Sequence, residues 1–168
     1  ARRLSQRLNG QASRAIDVRR FTWSGENHHL ARLDAAILLI EQLAAQRYPP
    51  GSRILLWAHS HSGNSLALAS QLLGGDRQTC CALLDTCDVF YRRQRCRGSD
   101  GNWEPRMARL QRLLWDERPL AAVALDFVTF GTPIRYAWNE RLPGRVLHVV
   151  HHKPWQGWPD YLAKFPPT

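Results

Sequence analysis

One short stretch of the chain concentrates groups able to do chemistry. From Ile54 to Trp57 the residues are apolar, and Ala58, His59, Ser60, His61, Ser62 and Gly63 follow at once. A buried strand that ends in two histidines and two serines and turns straight into a helix has a specific use. It can hold Ser60 out of the sheet as a nucleophile. A serine hydroxyl is a poor nucleophile near neutral pH, so a histidine must take its proton and a carboxylate must orient that histidine. The turn is cramped, so the residues two before and two after the serine must be small. Ala58 and Ser62 meet that demand. Gly63 lets the following helix pack close to the strand. The helix N-terminus then points at the reaction centre, and the His61 amide becomes one oxyanion donor. Two other readings stay open. Ser60 or Ser62 can instead cap the helix by accepting a backbone N–H. Ser62 as nucleophile would put Asn64 at a flanking position, where it is too large.

The order small-His-Ser-His-small-Gly resembles the G-x-S-x-G nucleophile elbow of the α/β-hydrolases, with Ala58 and Ser62 in place of the usual glycines. It is most similar to the lipase and esterase form, in which a histidine precedes the serine and a second glycine follows. "DFVTFGTP" resembles the next core strand of lipase-like hydrolases, and "FTWSGENHHLARLDAA" the strand, loop and helix upstream of the elbow. The likeness runs from about residue 20 to 152. It implies a chain order of serine, acid, histidine.

Candidates for the acid and the base are awkwardly placed. Asp126 precedes "FVTF", near the wrong end of a parallel strand, and Asp85 and Asp88 reach the site only if their region folds over it. Asp160, after the last clear strand, is the best-placed acid by order. His152 and His151 close that strand at its C-terminal end, where ligands bind in open parallel sheets. They precede Asp160, against the expected order, yet they are the only histidines after the elbow apart from His148, so His152 is the first choice of base and His151 the second. His148 lies within the strand. His59 and His61 flank the serine with rings turned away from it, and His61 can also line the pocket. His28 and His29 border the site. Ser24, Gly25 and Asn27 follow a candidate strand at the same end, and Glu26 is an unconventional alternative acid.

Seven tryptophans is a high count. Trp23 and Trp57 fall on expected strands and read as core. Trp155 and Trp158, with Trp138 and Phe165, fall in loops and can wall an apolar acyl pocket or pack the C-terminal tail.

The elements that must position these groups alternate. Residues 1 to 17 carry weak helical periodicity. Val18 to Trp23 reads as a strand, stopped by Ser24 and Gly25. A helix is expected from about Leu30 to Arg47, with Leu30, Leu33, Ile37, Ile40 and Ala44 on one face, Asn27 as N-cap and Pro49-Pro50-Gly51 as stop. "RILLWAH" is a strand whose continuous apolar run suits cover on both faces. A helix follows from about Ser62 to Leu73. Over residues 76 to 105 a short apolar run near "CCALLDTCDVFY" is followed by a charged loop, "RRQRCRGSDGNWEP". A helix from about Pro105 to Trp115 precedes the strands "AAVALDFVTFG" and "GRVLHVVHH". The expected fold is α/β, a single domain over 1 to 168, with a mostly parallel sheet of about four strands and helices on both faces. The missing upstream strands and glycine-rich loop imply a hydrolase-like core that is incomplete, the middle of a larger domain, or else a minimal relative.

The chain has 168 residues, 44% hydrophobic and 22% charged, as in an ordinary soluble globular protein. No apolar run approaches the roughly 20 residues needed to span a bilayer. The net charge of +9 is carried almost wholly by arginine. The arginines are spread, and no nucleic-acid motif is present. Cys80, Cys81, Cys87 and Cys96 form no CxxC, so zinc is not expected, and free thiols in the cytoplasm are the simplest account. Together these features point to a serine hydrolase of carboxylic esters, small or lipid, needing no metal or organic cofactor. The rivals are a silent hydrolase-like binding module and a basic protein that binds anionic surfaces.

Overall fold

The computed structural model describes residues 2–10, 16–95, 103–150 and 157. Among the described residues there are five α-helices, one π-helical turn and three strands. They are α1 (Arg2–Asn9), α2 (His29–Ala44), β1 (Arg53–His59), α3 (Ser62–Gly74), α4 (Arg77–Arg95), α5 (Trp103–Gln111), the π-helical turn Arg112–Glu117, β2 (Ala124–Phe130) and β3 (Val146–Val149). The strands form one open sheet in the order β1-β2-β3, and both pairings are parallel. Arg53 pairs with Ala124 and His59 with Phe130, so β1 and β2 end level.

The class expected from the sequence, α/β with a parallel sheet, is observed. The strand count is not. Residues 18–23 run outside any helix or strand. Their aromatic residues are still used. Phe21 packs on the core, and Trp23 is half-buried. High β-propensity records a fit to a half-buried surface, and a ladder also needs a paired edge. Those residues do not pair with β1.

Helices on both faces of the sheet were also expected, and the burial pattern corrects that. Along β1, Ile54, Leu56 and Ala58 turn inward while Leu55 and Trp57 are each 52% exposed. Along β2, Leu125, Phe127 and Thr129 are buried and Phe130 is exposed. Among the described residues the helices therefore cover one face. The other presents Leu55, Trp57, Phe130, Leu147 and Val149, with the Trp57 and Phe130 rings edge to face.

The core lies between the covered face and α2 and α3. Leu33, Ile37 and Ile40 of α2 meet Leu66, Ala69 and Leu72 of α3, with Leu110, Leu114, Leu125 and Phe127 completing it. The three-four spacing on α2 is what buries one stripe. Its N-cap is His28, whose Nδ1 accepts the Ala31 N–H at 3.2 Å. Asn27, the expected cap, instead accepts from the Arg32 guanidinium. The helix ends at Ala44, short of Arg47, where Ala45 N–H and Gln46 N–H close on Glu41 and Leu43 carbonyls. The apolar run and the first residues of the expected charged loop, 77–95, form α4 instead. The helix expected over 105–115 is split: α5 ends at Gln111 and the chain widens into the π-helical turn. Arg106 ties α5 to α2 through Asp34 at 2.5 Å and Glu41 at 3.1 Å.

Candidate functional site

Ser60 sits between the end of β1 and the start of α3 with φ +54. A non-glycine residue in this left-handed region is strained by contact between Cβ and its own carbonyl. Three bonds hold it there. Its N–H donates to the Phe130 carbonyl at 2.9 Å, one step beyond the β1–β2 ladder. Its carbonyl accepts the Gly63 N–H at 3.1 Å and the Thr132 hydroxyl at 2.9 Å. The backbone is thus fully bonded, while the Ser60 hydroxyl makes no hydrogen bond to any described residue.

The helix that follows has no side-chain cap. Its N-cap is His61, and neither serine hydroxyl accepts a backbone N–H there. The Ser62 hydroxyl instead accepts the Trp23 indole N–H at 3.3 Å. The His61 N–H has no acceptor among the described residues. The His61 ring is turned inward, and its Nδ1 is buried without a partner.

Two further residues fasten the loop after β2 over this turn. Thr132 presses against Gly63 so closely that a Cβ on Gly63 would overlap its side chain. Asn64, 1% exposed, donates to the Pro133 carbonyl at 2.8 Å and accepts the Arg135 N–H at 3.0 Å. Gly63 was expected to let helix and strand approach, and what its missing Cβ admits is Thr132. The resemblance of "DFVTFGTP" puts Gly131, Thr132 and Pro133 beside the site but gives Thr132 no role, and the sequence marks Asn64 only as too bulky a neighbour. A signal existed for Asn64: it is a polar residue inside a helix segment, 63 to 70, that is buried on every side.

The loop after residue 23 adjoins the site through Trp23. Within it the Ser24 hydroxyl accepts the Glu26 N–H at 3.4 Å, and Gly25 takes φ +80. Glu26 pairs with His28 at 3.2 Å, and His29 meets the Tyr136 hydroxyl at 2.5 Å. Arg32 is 2% exposed, and its Nε is buried without a partner.

The structure sorts the remaining candidates. His148 faces the core, bonded to Thr129 at 2.6 Å and tilted against Trp138. Asp126 is held by Arg53 at 3.0 Å and by the Arg145 N–H at 2.9 Å. Asp85 and Asp88 lie on α4. Asp160, His151, His152, Trp155, Trp158 and Phe165 lie outside the described residues. Among the described residues no cluster of three or more His, Cys, Asp or Glu side chains is placed to hold a metal ion. No helix described is long and apolar enough to cross a membrane.

The arrangement gives a serine in strained backbone at a strand-to-helix corner, with the His61 N–H, unbonded among the described residues, beside it and the positive end of a 13-residue helix behind. Such a corner can present a hydroxyl to an electrophilic carbon and stabilise the oxygen that becomes negative. Comparison with protein-family models, curated proteins and solved structures returns no match for this chain.

Proposed function

We propose that the chain carries the nucleophile of a serine hydrolase acting on carboxylic esters, with Ser60 as the attacking residue. The observation that carries this reading is the positive φ of Ser60, a costly conformation whose backbone is anchored by Phe130, Gly63 and Thr132 while its hydroxyl bonds no described residue. Strain of that kind costs about 1–3 kcal/mol and persists where the surroundings over-determine it, as at sites of chemistry.

In this reading the Ser60 oxygen attacks the ester carbonyl carbon as a histidine takes its proton. The carbonyl oxygen, now negative, receives the His61 N–H. The carbon–oxygen bond of the ester breaks, and the alcohol leaves with the proton. Water then attacks the acyl-serine, releasing a carboxylic acid and restoring Ser60. His152 is the proposed base and Asp160 the proposed orienting acid. The loop holding Ser24 and the aromatic Trp155 are proposed to wall the acyl pocket, which suits small or lipid esters.

A silent binding module is the second reading, because no described histidine bonds the Ser60 hydroxyl. Labelling with a fluorophosphonate separates the two. The parent chain is expected to label at one site, with labelling abolished in Ser60→Ala and at least tenfold slower in His152→Ala. Equal labelling of parent and Ser60→Ala would overturn the role of Ser60.

A further inference from the structure

One cavity among the described residues lies away from Ser60. It opens at the other end of the sheet, under the π-helical turn, with a volume of about 390 Å³. Leu125, the second residue of β2, lines it, so it lies about 15 Å along the strand direction from the Phe130–Ser60 level. Its volume is within the range of small-molecule sites, about 300–1,000 Å³.

Its walls combine two chemistries. Ile40, Leu73, Leu114 and Leu120 give it an apolar interior, and Trp115 adds an aromatic wall. Arg118 and Arg141 also line it. Neither guanidinium forms an ion pair with a described residue. Asp76 is the carboxylate that feels the charge of Arg141, and it is already bonded twice by Thr79. A third guanidinium, Arg77, lies 5.0 Å above the Trp115 ring and holds that wall in place.

The backbone here is unusual in two ways. The turn Arg112–Glu117 is π-helical, a form that is rare and often found at functional sites. Arg118, which ends it, takes φ +45. A void with apolar walls leaves dispersion contacts unmade, and two guanidinium groups without an ion pair to any described residue favour an anion. One amphiphile answers both.

We propose that this cavity binds an alkyl carboxylate of medium chain length, with the chain among Ile40, Leu114 and Leu120 and the carboxylate at Arg118 and Arg141. Arginine suits the head group because its planar fork meets a carboxylate through two parallel hydrogen bonds. The site is separate from Ser60 and does not depend on that residue's being a nucleophile.

Isothermal titration of the whole chain tests it, with decanoate, decanol and butyrate as probes, each kept below its aggregation limit. Decanoate is expected to bind one per chain, at least tenfold tighter than either of the others. Arg118→Gln combined with Arg141→Gln should weaken decanoate at least tenfold and leave decanol unchanged. Ala121→Trp, at a lining position, should block decanoate. If the double variant fails to fold, as judged by circular dichroism, Arg118→Gln alone should still weaken decanoate severalfold. Absence of saturable decanoate binding, equal binding of decanol or butyrate, or indifference to the arginine and Ala121 substitutions would each overturn the proposal.

Discussion

The Thr132 hydroxyl donates to the carbonyl of Ser60 at 2.9 Å, across 72 residues of sequence. The same side chain fills the space that Gly63 leaves by having no Cβ. One residue from the loop after β2 therefore both bonds the strained corner and wedges it against the helix.

Strain at Ser60 should be measurable as stability. Glycine adopts positive φ without the Cβ contact, although it also loosens the unfolded chain. Ser60→Gly is expected to gain about 0.5–1 kcal/mol net. Ser60→Ala keeps the Cβ and should gain nothing. Urea denaturation compares them. An equal gain in both would show that backbone strain is not the source.

Gly63 and Thr132 should be coupled. Gly63→Ala places a methyl group in the Thr132 side chain and is expected to cost about 1–3 kcal/mol, as overpacking does. In a Thr132→Gly background most of that cost should vanish, because the obstructing atoms are gone. The double-mutant cycle reads the interaction directly. Additive costs would mean that the two do not share the space.

The start of α4 should be acid-sensitive. The Asp76 carboxylate accepts the Thr79 N–H and the Thr79 hydroxyl, both at 2.8 Å, and these bonds hold its pKa below the ordinary aspartate value of 3.8. A depressed folded pKa gives stability that is present above the unfolded value and lost as pH falls through the folded one. Parent and Asp76→Asn should therefore differ above the ordinary value of 3.8 and converge as the pH falls below it. Urea midpoints on both sides of that value check it. Parallel curves would remove Asp76 from the acid response.

Several elements were legible from local pattern alone. The apolar stripe of Leu33, Ile37 and Ile40 predicts α2, and the run from Ile54 to Ala58 predicts β1. The corner at Ser60 was legible too, because the small neighbours Ala58 and Ser62 and the missing Cβ at Gly63 are local requirements of a strand turning into a helix. α4 was not legible. Its residues carry no clean apolar face, although Cys80 and Leu84 are buried.

The sequence by itself determined the periodic elements and the cramped turn, since both follow from sterics and hydrophobic spacing over a few residues. Only the tertiary structure decided what those residues meet. It left residues 18–23 without a ladder, covered the sheet on one face among the described residues, and brought Thr132 and Asn64 onto the corner. It also set Arg118 and Arg141 around a cavity with Leu125. Each of these depends on contacts between segments far apart in the chain, whose partners no local pattern encodes.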